Sequence, residues 1–155
     1  MKGRILVVDD EELVRTTMKD ILSVEGFDVE AVESGEAALN TIRDHIAQGT
    51  PFDLLLLDIK MPGLDGIEVL KEVNHIDLDL KVILLTGHGS MESAIDALRL
   101  GAHDYLLKPA SAGEILTSVS SAFNQLTEQQ RKRLLLQQLE TSVKRLKDAE
   151  GIYTA

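Results

Sequence analysis

Leu54-Leu55-Leu56-Leu57-Asp58 runs directly into Ile59-Lys60-Met61-Pro62-Gly63-Leu64-Asp65-Gly66. So short a block of leucines, bounded by turn-forming residues, reads as a strand buried on both faces. It ends on a carboxylate, and in open α/β sheets ligands bind beyond the carboxyl ends of the strands. The sheet therefore delivers Asp58 to its functional edge. Taken alone, Asp58 has a plainer reading as the first residue of a turn. Only matching groups at the same edge displace it.

Upstream, Ile5-Leu6-Val7-Val8 is a second apolar run, again ending in acids, Asp9-Asp10. From Glu12 to Val24 the pattern is helical, with Val14, Met18, Ile21 and Leu22 on one face, and Gly26 closes it. Asp28 to Val32 alternates like a strand nearer an edge, after which Ser34 caps a helix carrying Ala38, Leu39, Ile42 and Ile46. Gly49-Thr50-Pro51 separates that helix from the leucine strand.

Downstream, Asp65 and Glu68 have capping-box spacing and open a third helix, with Ile67, Leu70 and Val73 inward. Lys81 to Thr86 is a fourth strand, ending on a hydroxyl. Gly87-His88-Gly89-Ser90 leads into a helix whose Met91, Ala94, Ile95 and Leu98 are expected to form its buried stripe. Gly101 ends it, and Asp104-Tyr105-Leu106-Leu107 is a fifth strand finishing at Lys108-Pro109. Ser111 and Glu114, again at capping-box spacing, launch the last helix.

Five strand–helix units, with strand starts about two dozen residues apart, are the signature of a parallel sheet covered by helices on both faces. Right-handed crossovers leave few topologies. The expectation is an α/β fold, a doubly wound (βα)5 sheet. The order 2-1-3-4-5 is preferred because strands 1, 3 and 4 are the most apolar and belong inside.

Composition narrows the function. A chain of 155 residues is one ordinary domain with an appendage. Its net charge of −10 argues against unaided binding to nucleic acid or to an anionic membrane. There is no cysteine, hence no disulfide or thiolate metal site, which fits a cytoplasmic location. Met1-Lys2-Gly3-Arg4 is too short for a signal peptide, and no apolar run approaches the roughly 20 residues of a membrane span.

Four strands end on polar groups: Asp9-Asp10, Asp58, Thr86 and Lys108. In the expected order those strands are contiguous, so the groups converge. Carboxylates about 4 Å apart repel by about 4 kcal/mol per pair at an effective dielectric near 20, so the cluster must take up protons or a cation. All-oxygen ligation suits Mg2+ better than zinc. His45, His75, His88 and His103 lie at spacings that make no ligand set. A divalent cation beside ionised Asp58, with Lys108 and Thr86 opposite, fits a transferred phosphoryl group, with the carboxylate as nucleophile. Each residue singly has a plainer role: Asp9 or Asp10 capping the first helix, Thr86 ending a strand, Lys108 in solvent. Their joint occurrence is what those roles leave unexplained.

Val7-Val8-Asp9-Asp10-Glu11, the Asp58 strand with Met61-Pro62-Gly63-Leu64-Asp65-Gly66, Leu85-Thr86-Gly87 and Tyr105-Leu106-Leu107-Lys108-Pro109 together resemble the receiver domain of two-component response regulators. The resemblance covers about Lys2 to Leu126. Around Thr86-Gly87-His88-Gly89 it is nearest to receivers of nitrogen-regulator-type transcriptional activators. It implies the flavodoxin-like strand order just given. It also implies that Asp58 accepts a phosphoryl group from the phosphohistidine of a sensor histidine kinase. Asp10, Asp58 and the Lys60 backbone carbonyl would then bind Mg2+ directly, and Asp9 through water. Lys108 would pair with Asp58 or its phosphoryl oxygen, Thr86 would close onto that group, and Tyr105 would follow Thr86 inward as the switch aromatic. The Lys108-Pro109 peptide is expected to be cis. Lys60 and His88, two residues beyond Asp58 and Thr86, are candidates for tuning attack of water on the acyl phosphate.

No Gly or Pro occurs from Glu114 to Glu150, so one helix could run about 55 Å. Leu136, Leu139, Val143 and Leu146 recur at 3-4-3 spacing, a short coiled-coil seam that predicts a parallel homodimer. The expected organisation is a receiver domain at 1–126, a helical linker at 127–150 and a tail at 151–155, as a fragment of a longer regulator. Two other functions remain open. A haloacid-dehalogenase-like phosphotransferase would usually carry an acid where Lys60 stands. A receiver reduced to a dimerisation module would fail to accept a phosphoryl group.

Overall fold

The computed structural model describes residues 1–87 and 90–151. Five strands alternate with five helices: β1 (Arg4–Val8), α1 (Glu12–Val24), β2 (Asp28–Val32), α2 (Gly35–Ala47), β3 (Leu54–Leu57), α3 (Gly66–Ile76), β4 (Lys81–Thr86), α4 (Met91–Arg99), β5 (Asp104–Leu107) and α5 (Ala112–Glu150). The strands form one parallel sheet in the order β2-β1-β3-β4-β5, the doubly wound order expected.

Leu54 to Leu57 are each 1% exposed or less, as befits the central strand of a sheet covered on both faces. Alternate strand residues serve opposite faces. Leu6, Val8, Leu55, Leu57, Val82 and Leu84 pack with Ala38, Leu39 and Ile42 of α2 and Val69, Leu70 and Val73 of α3. The intervening residues Ile5, Val7, Leu54, Leu56, Ile83 and Leu85 are equally buried, as are Met18 and Leu22 of α1 and Ile115 and Val119 of α5.

Local chemistry sets the element ends. The Ser34 hydroxyl accepts the Ala37 amide, and Asp65 with Glu68 forms a complete capping box on α3. The Ser111 hydroxyl accepts the Glu114 amide at 3.0 Å, immediately before α5. Gly26 follows α1 with φ +98°, a left-handed position that favours glycine.

The stripe expected on α4 is not the buried one. Met91, Ile95 and Leu98 are 81%, 42% and 54% exposed, while Ala97 is fully buried and Ala94 half-buried. The helix lays its small residues on the domain, close enough for the Asn74 side-chain amide to donate to the Leu100 carbonyl at 2.6 Å. Periodicity specifies a stripe but not which of two adjacent stripes faces inward.

The chain divides into two compact units, Met1–Ala122 and Phe123–Ala155. Within the second, residues 127–151 are all exposed, Leu136, Leu139, Val143 and Leu146 among them. Among the described residues, no helix is long and apolar enough to cross a membrane.

Candidate functional site

Strand register builds the site. Val8 lies opposite Leu57, so the next residues, Asp9 and Asp58, emerge side by side. The Asp58 amide extends the ladder by one bond, donating to the Val8 carbonyl at 3.0 Å. Leu57 lies opposite Leu84, which puts Thr86 one residue beyond the level of Asp58 on the next strand. Thr86 pairs with Leu107, and the Lys108 amide donates to the Thr86 carbonyl at 2.9 Å, bringing Lys108 to the same edge.

Asp9 and Asp58 are almost fully buried, at 3% and 4% exposure, and Thr86 is completely so. The Lys108 ammonium lies 2.6 Å from Asp9 Oδ2 and 3.4 Å from Asp58 Oδ2. The resemblance implied Asp58 as its partner; Lys108 does reach Asp58, yet Asp9 is the nearer of the two. Asp9 Oδ1 accepts the Glu11 amide at 2.9 Å. Asp9 therefore does not cap α1, whose N-cap is Glu11 without a side-chain cap bond. Burial pushes the Asp9 carboxyl above its usual range, against the hydrogen bond from Lys108 that pulls it down. For Lys108, burial pulls the ammonium down. The hydrogen bond to Asp9 and the charge of Asp58 outweigh it and hold the group above the usual lysine value.

Asp58 Oδ1 is buried and has no hydrogen-bond partner among the described residues. A buried acceptor left without a donor is uncommon and calls for an ion or other group. Asp10 is exposed at the rim. One carboxylate oxygen from each of Asp9, Asp10 and Asp58 lies within 4.8 Å of the others. Such a set, with water access on the Asp10 side, fits a hard cation of the Mg2+ type, which keeps several waters and takes one or two carboxylates.

The side chain of Lys60 is exposed beyond Asp58. Tyr105 is half-buried against the α2–α3 side of the core, and its hydroxyl is 3.1 Å from Ser93 Oγ in the α4 capping box. The Lys108–Pro109 peptide is cis. His88 lies outside the described residues. His45 is engaged with Glu30 and Thr50. Sequence reasoning missed Glu36, whose carboxylate accepts the Leu64 amide at 3.0 Å in the loop after Asp58. No spacing rule reaches across those 28 residues.

Comparison with known proteins agrees with this geometry. The family described as response regulator receiver domain matches residues 5–120. The chemotaxis protein CheY of Bacillus subtilis is 38% identical over 125 residues, which is 80% of this chain and 100% of that protein. The regulatory protein AtoC of Escherichia coli is 37% identical over 90% of this chain, which spans only 29% of AtoC. Among solved structures, the CheX–CheY–BeF3–Mg2+ complex of Borrelia burgdorferi superimposes with a TM-score of 0.73 at 30% identity, covering 78% of this chain and 89% of that one. With the sheet, the acid cluster and these relatives in agreement, the chain belongs to the response regulator receiver domains, signalling domains of two-component systems that are phosphorylated on an aspartate and bind Mg2+ at an acidic site.

Proposed function

We propose that this chain is a phosphorylation switch in which Asp58 takes a phosphoryl group from the phosphohistidine of a sensor histidine kinase and relays the change to an output domain or partner. The observation that carries this reading is the buried Oδ1 of Asp58, without a donor among the described residues and set among two further acids and one lysine. An Asp58 oxygen attacks phosphorus in line as the P–N bond to the imidazole breaks. The imidazole nitrogen keeps the bonding pair, and an acyl phosphate remains on Asp58. Asp10, Asp58 and the Lys60 carbonyl would hold Mg2+ directly, and Asp9 through water; when bound, the ion neutralises developing charge on the phosphoryl oxygens. Lys108 pairs with a phosphoryl oxygen and Thr86 donates its hydroxyl to another. Tyr105 follows Thr86 inward and shifts α4 with it. Attack of water on the acyl phosphate returns the carboxylate and inorganic phosphate, at a rate tuned by Lys60 and His88.

The receiver is assigned to 1–126. The helical segment 127–150 acts as a linker that pairs two copies in parallel through Leu136, Leu139, Val143 and Leu146, and 151–155 is a tail. The site of action is the cytoplasm. Incubation with Mg2+ and acetyl phosphate should add one phosphoryl group, read by intact mass, and Asp58→Asn should abolish the gain. A wild-type chain that never gains the group, or an Asp58→Asn chain that gains as much, overturns the assignment.

A further inference from the structure

We propose that Glu36 is a positioning residue for the Mg2+ and phosphoryl site, fixing through the Leu64 amide the loop that follows Asp58. The proposal rests on the function proposed above. The loop is closed at its base by the Gly66 amide, which donates to the Ile59 carbonyl at 2.7 Å. A Cβ at Gly66 would lie 2.4 Å from the Asp58 carbonyl oxygen, so the first turn of α3 presses directly on the backbone of the phosphoacceptor. Ile59 and Met61 are sunk in the core, at 7% and 8% exposure. At the tip, Pro62 and Gly63 are exposed, and Leu64 is only half-buried against the edge of the core.

Glu36 adds a restraint on the tip's backbone. Its Oε1 accepts the Leu64 amide, and it also fills the space beside Gly63, where an added Cβ would sit 2.6 Å from that oxygen. Gly63 has φ +81°, so the tip is bent in a way that glycine alone adopts easily. One residue earlier on α2, a Cβ at Gly35 would meet the Leu64 carbonyl oxygen at 2.9 Å. The start of α2 is thus moulded to the loop tip by two glycines and clamped to it by one charge-assisted hydrogen bond. The hydrogen bond from Leu64 holds the Glu36 carboxyl below the usual glutamate range, in the ionised form that accepts best. Lys60 lies between the buried Ile59 and Met61, two residues before the clamped tip. A ligand carbonyl held in place beforehand binds a cation without the cost of ordering the backbone at that moment.

The test uses the full chain with Glu36→Ala and Glu36→Gln. Metal-free amide hydrogen exchange should quicken across residues 60–65 in Glu36→Ala, and the Mg2+ dissociation constant, read by calorimetry, should rise about threefold to tenfold, the range of one net hydrogen bond. Glu36→Gln keeps an acceptor oxygen and should retain most of the affinity, which a general loss of stability would not allow. Unchanged exchange, or unchanged Mg2+ affinity in Glu36→Ala, overturns the positioning role. A wild-type chain indifferent to Mg2+ instead overturns the metal-site assignment and everything built on it, whatever the exchange data show.

Discussion

Lys108 is the residue on which the charge balance of the site turns. Its ammonium sits between two carboxylates that are almost wholly withdrawn from water, while its own side chain keeps 18% exposure. Removing one partner of a fully buried ion pair costs about 3–5 kcal/mol, and partial exposure lowers the expectation for Lys108→Ala to about 2 kcal/mol. The loss should appear in metal-free urea unfolding, and Mg2+ should recover part of it by binding the folded state. The pH signs follow from the shifts. The folded-state pKa of Lys108 is raised, so its contribution is complete below the unfolded value and lost as pH climbs through the folded one. Asp9 is also raised, so its charge opposes folding at neutral pH and the opposition fades as pH falls through its folded value. At this scale much was legible: Asp9, Asp58, Thr86 and Lys108 could be placed because each terminates a strand in a deducible sheet. The preference of Lys108 for Asp9 was not, because it depends on side-chain reach between residues 99 apart. Glu36 was illegible for the same reason.

Among elements, the strands and the caps of α2, α3 and α5 were readable, since apolar runs and capping spacings are local physics. α4 was not. Its nine residues carry two adjacent stripes, one of small residues and one of large apolar ones, and the burial of Ala97 goes with exposure of Met91, Ile95 and Leu98. Tertiary fit at close approach decided between them, and sequence period contains no such information. Leu98→Ser should therefore alter stability by less than about 0.5 kcal/mol, as at other exposed positions. Ala97→Leu should cost about 1–3 kcal/mol by overpacking. Urea unfolding of both variants checks the assignment of the inner face.

For the whole molecule, charge is unevenly shared between the two units. Six of the 16 Lys and Arg lie after Ala122, against only four of the 26 Asp and Glu. The acidity that argues against nucleic-acid binding thus belongs to the sheet-bearing unit, while the helical segment carries a small positive excess. That segment exposes Leu139 and Val143 at 61% and 43%, a seam that the proposed dimer would cover. Sedimentation of the full chain should show a monomer–dimer equilibrium that shifts with concentration, and Leu139→Glu with Val143→Glu should leave monomer at every concentration. Mg2+ binding should survive those changes, because no site residue lies in the segment.

Parallel pairing gathers the site from the first and last strands of the sheet, with Asp9 just after β1 and Lys108 just after β5. During synthesis the two buried acids leave the ribosome well before the lysine that compensates them. A nascent chain halted short of β5 would hold an anionic hollow with no internal counterion, poorly able to close. On the proposed function, the pocket would gain its internal counterion only with docking of the final strand, completed by the same register that aligns the sheet.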